Sequence, residues 1–341
     1  MRKSDLDVVK NIRNKIKENI LNYNLIENND KVVVAVSGGP DSMCILDCLI
    51  NLREVFLKKY NISYKLVVAH VNHMIREESK QEKVYVENFC KENNLEFFYK
   101  EEDVPNNSKK FKMSEETYGR KIRYEFFEEV LKKTDSQKIV TAHNLNDDVE
   151  TILLNMLRGC GLKGLTGMDF ICDNIIRPML NIEKKDILLY NEQRNLNPAI
   201  DKTNFENIYA RNKVRNILIP TLQKDYNPNF ISSIKRMKKI LDLDERFIEK
   251  YTNDVVKNSI VENNNTVIKF NYKNIIKQEE SIKYRAIREI IKLKLGNLDG
   301  IENVHIEDIL KLLEKGIPRK KFIIGNKFTV EIMNKNVAVI F

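Results

Sequence analysis

The sequence predicts an α/β protein in which a doubly wound, mainly parallel sheet is followed by a smaller, mostly helical C-terminal domain. Short apolar runs alternate with helical patterns through the first part of the chain, as is typical of a parallel sheet with helices on both faces. At 341 residues, the chain exceeds one typical hydrophobic core, so at least two domains are expected. We place them at 1–215 and 216–341, because the composition becomes basic near that boundary.

Four short apolar runs predict the strands of the sheet. They are Val32–Val36, Tyr64–Val71, 95–100 and 137–142, and β-branched residues favour strands. Apolar residues at helical spacing predict the helices around them, over 5–28, 43–59, 77–93, 114–133 and 146–158. Ligands bind at the carboxyl ends of parallel strands, so we expect Ser37, His70–His73 and His143 to converge on one cleft.

Downstream of the sheet, the sequence predicts mostly helix. Helical patterns cover 183–194, 210–216, 230–261, 281–294 and 304–315. The basic region that begins at Ala210 is expected to stop at Pro220, because proline lacks the backbone donor that a helix needs. The polar segment 197–207 is predicted to be a loop. Short strands with turns at Gly325 and Asn334 are expected at the C-terminal end of the sequence.

The segment Ser37-Gly38-Gly39-Pro40-Asp41-Ser42 lies between the first strand and the next helix. Its glycines let backbone N–H groups turn toward one point, and the helix aims its positive end at the same point. The serine hydroxyls add donors for an anion. No lysine stands where the Walker pattern needs one, and GxGxxG is absent. The segment therefore predicts a phosphate-binding loop of another kind; an ordinary Gly-Gly-Pro turn is the alternative.

A group of carboxylates follows His143. Asp147 and Glu150 are three residues apart and share a helix face, while Asp148 is turned from Asp147 by about 100°. Carboxylates at a helix N-terminus also act as simple caps. Beside a nucleotide site, however, this group favours Mg²⁺ coordination or recognition of an amine.

Two further sets of polar residues are candidates for the site. Arg120 and Arg123 share a helix face and are suited to bind phosphates, although surface ion pairing is the simpler interpretation. His70 and His73 have the residue type of zinc ligands. No third ligand has a usable spacing, so zinc is disfavoured.

Composition excludes several classes of protein. With 42% hydrophobic and 31% charged residues, the chain has an ordinary globular composition, and no apolar run approaches a membrane span. The charged N-terminal residues 1–19 lack the apolar core of a signal peptide. The five cysteines form no CxxC pair and have no metal-finger spacing. Their odd number in a large chain without a signal peptide indicates reduced thiols in a cytoplasmic protein.

The net charge of +9 is unevenly distributed. Residues 1–210 carry 32 Lys and Arg against 33 Asp and Glu, whereas 211–341 carry 26 against 16. A well-solvated surface would explain this excess. The more specific interpretation is a polyanion-binding region attached to a neutral catalytic domain, which indicates a nucleic acid partner.

The motifs together resemble the tRNA(Ile)-lysidine synthases of the ATP-pyrophosphatase (PP-loop) superfamily. The matching segments are SGGPDS, HVNHMIREES, EETYGRKIRY, TAHNLNDDVETILLNMLRGCGLKGLTGM, RPML and DKTN…RNKVRNILIP. They span residues from about 31 to 228. The loop at 158–168 and the segment at 211–220 distinguish this family from the wider superfamily.

This resemblance implies an adenine nucleotide α-hydrolase-like fold and a specific reaction. Such enzymes use ATP and Mg²⁺ to adenylate C2 of the wobble cytidine in the isoleucine tRNA with a CAU anticodon. The ε-amine of free L-lysine then displaces AMP and forms lysidine. Many relatives are longer and have a second C-terminal domain, and this chain resembles the shorter form. Relatives often dimerise, so a homodimer stays open.

The resemblance also implies roles for individual residues. The resemblance assigns nucleotide binding to the loop and to two histidines near strand ends, namely Ser37, Gly38, Gly39, Pro40, Asp41, Ser42, His70 and His143. Asp147 and Glu150 are candidates for the lysine amine or for Mg²⁺, with Asp41 as a further metal ligand. Phosphate or adenylate contact is expected of three arginines, Arg120, Arg123 and Arg211. Together, Asp41, Arg120, Asp147, Glu150 and Arg211 form the expected catalytic set.

Three other functions compete with this one. A tRNA cytidine thiolase needs paired cysteines, which this sequence lacks. An amidotransferase-type synthetase that makes NAD or GMP would lack the arginine-rich segment at 211–215. An ATP-binding sensor without turnover would not need the carboxylates at 147–150.

Overall fold

A computed structural model describes residues 8–74, 79–199, 210–325 and 327–341. The chain divides into two compact units, a first unit of Met1–Lys239 and a second unit of Ile240–Phe341. This division lies further along the chain than the predicted boundary at 215. Arg76 and residues 200–207 of the predicted polar loop lie outside the described residues.

The first unit is built on a six-stranded sheet with the order β3-β2-β1-β4-β6-β5. Its strands are β1 (Asp30–Ala35), β2 (Tyr64–Asn72), β3 (Glu96–Glu101), β4 (Lys138–Val140), β5 (Ile171–Cys172) and β6 (Ile175–Ile176). All neighbouring pairs are parallel except β5 with β6, which is antiparallel. The predicted parallel sheet is confirmed. The short β5–β6 hairpin is an addition to it.

Helices cover both faces of this sheet. Those that precede residue 210 are α1 (Val8–Asn22), α2 (Pro40–Tyr60), α3 (Ser79–Glu92), α4 (Val104–Lys110), α5 (Glu115–Lys133), α6 (Leu145–Leu157), α7 (Leu162–Leu165) and α8 (Lys184–Gln193). Alternate residues of β1 enter opposite cores, because strand side chains alternate between faces. Val32 and Val34 pack with α1 and α2, whereas Val33 packs with α5.

The basic segment is helical through Pro220, so the prediction that this proline stops the helix was wrong. The segment consists of α9 (Ala210–Lys213), a π-helical turn (Val214–Leu218), α10 (Ile219–Thr221) and a second π-helical turn (Leu222–Tyr226). Proline removes one i→i−4 hydrogen bond. The i→i+5 pattern of the π-helical turns on both sides accommodates this loss without ending the helix.

The long helix α11 (Phe230–Ser259) matches its predicted range closely. Its first residues belong to the first unit, where Ile231 packs with Val149 of α6 and Val214 of the basic segment. Its later residues belong to the second unit, where Val256 enters a separate hydrophobic core.

The second unit combines helices with a five-stranded antiparallel sheet of order β7-β8-β11-β10-β9. After α11, its elements are β7 (Ile260–Asn263), β8 (Ile268–Asn271), α12 (Tyr272–Ile276), α13 (Glu280–Leu295), α14 (Asn303–Lys315), β9 (Lys321–Ile324), β10 (Phe328–Ile332) and β11 (Val337–Ile340). The predicted α13, α14 and terminal strands are confirmed, whereas β7, β8 and α12 add to the prediction. Tyr272 and Ile306 are fully buried in this core.

The cysteines are all reduced and differ in exposure. Cys44, Cys48 and Cys90 are buried, Cys160 is half-buried and Cys172 is exposed. Among the described residues, no helix is both long and apolar enough to cross a membrane.

Candidate active site

The predicted phosphate loop connects β1 to α2 and is shaped by its own polar groups. Gly38 has a positive φ of 85°, and Gly39 stands at the N-cap of α2 in extended conformation. The hydroxyls of Ser37 and Ser42 lie 3.2 Å apart, and Ser42 donates to the carbonyl oxygen of Gly39 at 3.0 Å. The loop therefore wraps the N-terminus of a 21-residue helix, a site that favours anions.

Asp41 connects this loop to two other parts of the sheet edge. Its Oδ2 accepts from Nζ of Lys184 at 2.6 Å, and its Oδ1 accepts from Nδ2 of Asn144 at 3.2 Å. Burial raises the pKa of Asp41, and the charge of Asp147 acts in the same direction against the lowering effect of Lys184. Asp41, Asn144 and Asp147 thus belong to one site.

Helix α6 begins in this site with a capping box. The side chain of Asn144 accepts from the backbone N–H groups of Asn146 and Asp147, and Oδ2 of Asp147 accepts in return from the N–H of Asn144 at 3.1 Å. This reciprocal arrangement satisfies the free donors at a helix start. Part of the role of Asp147 is therefore structural.

Two arginines of the basic segment bind the carboxylates of α6. Nε of Arg211 lies 2.9 Å from Oε2 of Glu150, and Nε of Arg215 lies 2.6 Å from Oε1 of Glu150. Nη2 of Arg215 also bonds Oδ1 of Asp147 at 2.9 Å. The Glu150 side chain is 1% exposed. The predicted shared face of Asp147 and Glu150 is confirmed, since Arg215 contacts both.

These charges stabilise one another. Burial acts to lower the pKa of Arg215, but the hydrogen bond and charge of Glu150 outweigh it, so that the pKa is raised and the guanidinium stays cationic. Isolated buried carboxylates are costly. The two guanidiniums supply the opposite charge beside the buried Glu150 side chain.

His143 lies on the same edge of the sheet and is held as a neutral ring. Its Nδ1 is 2.9 Å from the hydroxyl of Thr141. Burial lowers the pKa of His143 to about 4, and the charges of Arg177, Arg211 and Arg120 act in the same direction. The exposed guanidinium of Arg120 lies over the ring of Tyr124, and its predicted phosphate contact stays a prediction.

Two other histidines lie at the end of β2 and just after it. His70 is 1% exposed, stacks on Tyr99, and its Nδ1 donates to the carbonyl oxygen of Val36 at 2.7 Å. It therefore supports the backbone just before the phosphate loop. His73 accepts from Nη2 of Arg123 at 3.2 Å. Both side chains thus have hydrogen-bond partners in the protein, and the predicted role of His70 in nucleotide binding stays a prediction.

No group of three His, Cys, Asp or Glu side chains within the described ranges has the geometry of a metal site. Asp41 and Asp147 nevertheless have the chemistry for Mg²⁺, which proteins commonly hold with one or two carboxylates together with substrate phosphates. Lys184 and Asn144 now occupy the Asp41 oxygens. A metal at this carboxylate would compete with the lysine for Oδ2.

Comparison with known proteins identifies the relatives of this chain. The family model of the PP-loop domain matches residues 8–222. The chain is 43% identical to the tRNA(Ile)-lysidine synthase of Caldanaerobacter subterraneus over 88% of its own length and 63% of the relative. The corresponding protein of Clostridioides difficile is 38% identical over 96% of this chain and 71% of the relative. The chain belongs to the tRNA(Ile)-lysidine synthase family.

A solved structure supports the fold of this family member. The U34-tRNA thiolase NcsA from Methanococcus maripaludis aligns with a TM-score of 0.56 and 20% identity, over 70% of this chain and 80% of that chain. Such a likeness shows the shared fold alone. The predicted fold class is thereby confirmed.

The family member assembles most of its predicted site residues and adds others. The phosphate loop, Asp147, Glu150, Arg211 and His143 meet at one edge of the sheet. Sequence reasoning missed Lys184, Asn144 and the pairing of Arg215 with Glu150. Arg215 stood within the quoted family motif, whereas nothing local in the sequence indicates that Lys184 reaches Asp41.

Proposed function

We propose that this chain catalyses ATP-dependent joining of L-lysine to C2 of the wobble cytidine in the CAU-anticodon isoleucine tRNA, with release of pyrophosphate and AMP. The observation that carries the proposal is the direct contact between the phosphate loop and α6, made by Asn144 and Asp41 at 3.2 Å. This contact sets an anion-binding loop beside a carboxylate pair. Family membership supplies the reaction class. The chain spans 63% and 71% of the lengths of the two relatives compared.

In this proposal, the loop residues Ser37 to Ser42 hold the ATP phosphates at the N-terminus of α2. Arg120, Arg123 and Arg211 supply positive charge as pyrophosphate leaves. Asp41 and Asp147 would hold Mg²⁺, which would neutralise part of the phosphate charge. AMP makes the C2 oxygen a better leaving group, so the lysine amine can replace it at C2.

The amine of the substrate lysine needs an anionic partner, and Asp147 is a better candidate than Glu150 for this contact. Glu150 accepts three short contacts from two arginines, whereas Asp147 accepts one from a guanidinium and one from the N–H of Asn144. Both carboxylates lie on the same face of α6. We therefore assign the amine to Asp147, with Glu150 holding the arginines in position.

The excess of positive charge is concentrated in a smaller region than 211–341. Residues 211–239 carry eight Lys and Arg against one Asp, whereas 240–341 carry 18 against 15. Lys213, Lys224 and Tyr226 of this segment are exposed, while Arg211 and Arg215 bind α6. We propose that residues 211–239 contribute more tRNA affinity than the second unit, because phosphate contacts dominate RNA affinity.

This assignment has a direct test in tRNA binding at several salt concentrations. The variant Lys213→Glu/Lys224→Glu should weaken binding and reduce the slope of log affinity against log salt by about 1 to 2, at about 0.7 to 0.9 per lost contact. Lys257→Glu/Lys292→Glu, two exposed residues of the second unit, is the matched control. A larger effect in the control would contradict the assignment.

The proposed reaction is tested by AMP release from ATP, with and without unmodified CAU-anticodon tRNA and L-lysine. We expect AMP release to require both substrates, with labelled lysine entering the tRNA. AMP release without lysine incorporation would indicate another nucleophile. The absence of AMP release would indicate a protein that binds the nucleotide without turnover. A homodimer and a cytoplasmic location stay sequence-based expectations.

A further inference from the structure

A buried ion pair on the far side of α6 joins this helix to α11 and to the glycine-rich loop after α6. The Asp148 side chain is 2% exposed and the Lys238 side chain 11%. Nζ of Lys238 lies 2.6 Å from Oδ2 of Asp148 and 2.6 Å from the carbonyl oxygen of Met168. The N–H of Met168 donates to Oδ1 of Asp148 at 2.6 Å. Both backbone polar groups of Met168 are thus held by the ion pair.

The neighbouring residue, Gly167, lies in close contact with this ion pair. Gly167 has a φ of +65°, and a Cβ atom there would lie 2.3 Å from Oδ1 of Asp148 and 2.9 Å from Cγ1 of Ile152. No side chain fits such a space without displacing the carboxylate. The backbone therefore approaches Asp148 as closely as only glycine permits.

The ion pair and the candidate active site share the first two turns of α6. Asp148 lies about 100° from Asp147 and about 200° from Glu150 around the helix. A rotation of α6 by about 20° would move side-chain oxygens about 6 Å from the axis by about 2 Å. Displacements of about 1 Å can cost a factor of about 100 in rate. A restraint on one side of α6 therefore controls geometry on the other.

Stability alone gives little reason for this pair. A buried ion pair repays its desolvation only partly, and replacement by apolar residues of similar size is often neutral or stabilising. Leu145, Val149 and Leu153 of α6 already pack on the basic segment and α11. What the apolar contacts lack is the directional restraint that charged hydrogen bonds provide.

We propose that Asp148 and Lys238 are positioning residues, which fix the rotation of α6 so that Asp147 presents its carboxylate to the substrate amine. Neither residue contacts the amine in this assignment. The inference rests on the proposed function, because lysine use is what the positioned carboxylate serves.

The test compares the full-length wild type with Asp148→Asn/Lys238→Met. Asparagine keeps an acceptor for the N–H of Met168, and methionine keeps most of the lysine chain, so no unpaired buried charge results. We expect the KM for L-lysine to rise at least 10-fold, while the affinity for a non-hydrolysable ATP analogue changes less than 2-fold. Lys238→Arg, which keeps the charge, should give an intermediate KM.

A second buried pair provides the matched control. Arg285 binds Glu245 with two contacts of 2.8 Å, and the Glu245 side chain is 5% exposed. Glu245→Gln/Arg285→Met removes an equivalent pair from the second unit and should leave the lysine KM unchanged. A general effect of destabilisation would raise KM in both double variants and would overturn the positioning role.

The remaining outcomes separate the two proposals. If the wild type uses lysine and Asp148→Asn/Lys238→Met has an unchanged lysine KM, the positioning role is wrong and the proposed function stands. If the wild type shows no lysine-dependent AMP release, the proposed function fails, and the positioning role falls with it. If the double variant does not fold, Lys238→Arg decides, and a wild-type lysine KM in that variant overturns the role.

Discussion

Glu150 offers the sharpest test of the arginine cluster, because its charge can be removed without changing its shape. Glu150→Gln leaves Arg211 and Arg215 without the carboxylate that holds them at 2.9 Å and 2.6 Å. Removing one partner of a buried ion pair costs about 3 to 5 kcal/mol. The two arginine side chains are 29% and 35% exposed, so water compensates part of the loss, and we take the lower limit of about 3 kcal/mol.

This free energy corresponds to a measurable change in melting temperature. For a unit of this size, 1 kcal/mol shifts Tm by about 2 to 4 °C, so the transition of the first unit should fall by about 6 to 12 °C in calorimetry at pH 7. Glu54→Gln is the control, since Glu54 is 79% exposed and pairs only at the surface, where the effect stays below about 1 kcal/mol. A Tm within 2 °C of wild type for Glu150→Gln would refute the argument.

Two further predictions concern pH and the glycine-rich loop. Burial, together with the charge of Arg123, lowers the pKa of His73 to about 4. Below about pH 6.5, His73 is therefore protonated in the unfolded chain but still neutral in the folded chain. The free energy of unfolding consequently decreases as the pH falls toward 4, by up to about 1.4 kcal/mol per pH unit. Urea unfolding between pH 7 and 4.5 should show a shallower loss in His73→Gln; an identical slope would contradict the prediction. Gly167→Ala should destabilise the chain by about 1 to 3 kcal/mol more than Gly159→Ala, because Gly159 has a similar φ of +78° but no atom within 4 Å of its Cβ position; equal urea midpoints would show that the crowding is relieved.

The parts of the fold set by local sequence were predictable. The buried β-branched strands and the amphipathic helices depend on periodicity, which a single sequence displays. The two-residue strands β5 and β6 are too short for any period. The helix through Pro220 depends on π-helical turns, which sequence patterns do not reveal because proline normally ends helical pairing.

The same distinction holds for the candidate site. The loop at Ser37–Ser42 and the shared face of Asp147 and Glu150 follow from order and spacing along the chain. Lys184 reaches Asp41 across 143 residues, and Lys238 reaches Asp148 across 90. Such contacts depend on how helices pack, so residue type alone could not assign them.

The unequal exposure of the cysteines has a practical consequence for spectroscopy. Burial raises the pKa of Cys90 to about 12 and that of Cys44 well above its usual value, and buried thiols of this kind are inert toward alkylation. A maleimide dye should therefore react first at Cys172, at the sheet edge, and Cys160→Ser would remove the next most accessible thiol. The chain thus provides its own fluorophore attachment point, and anisotropy of a single label could test the proposed tRNA binding without an introduced cysteine.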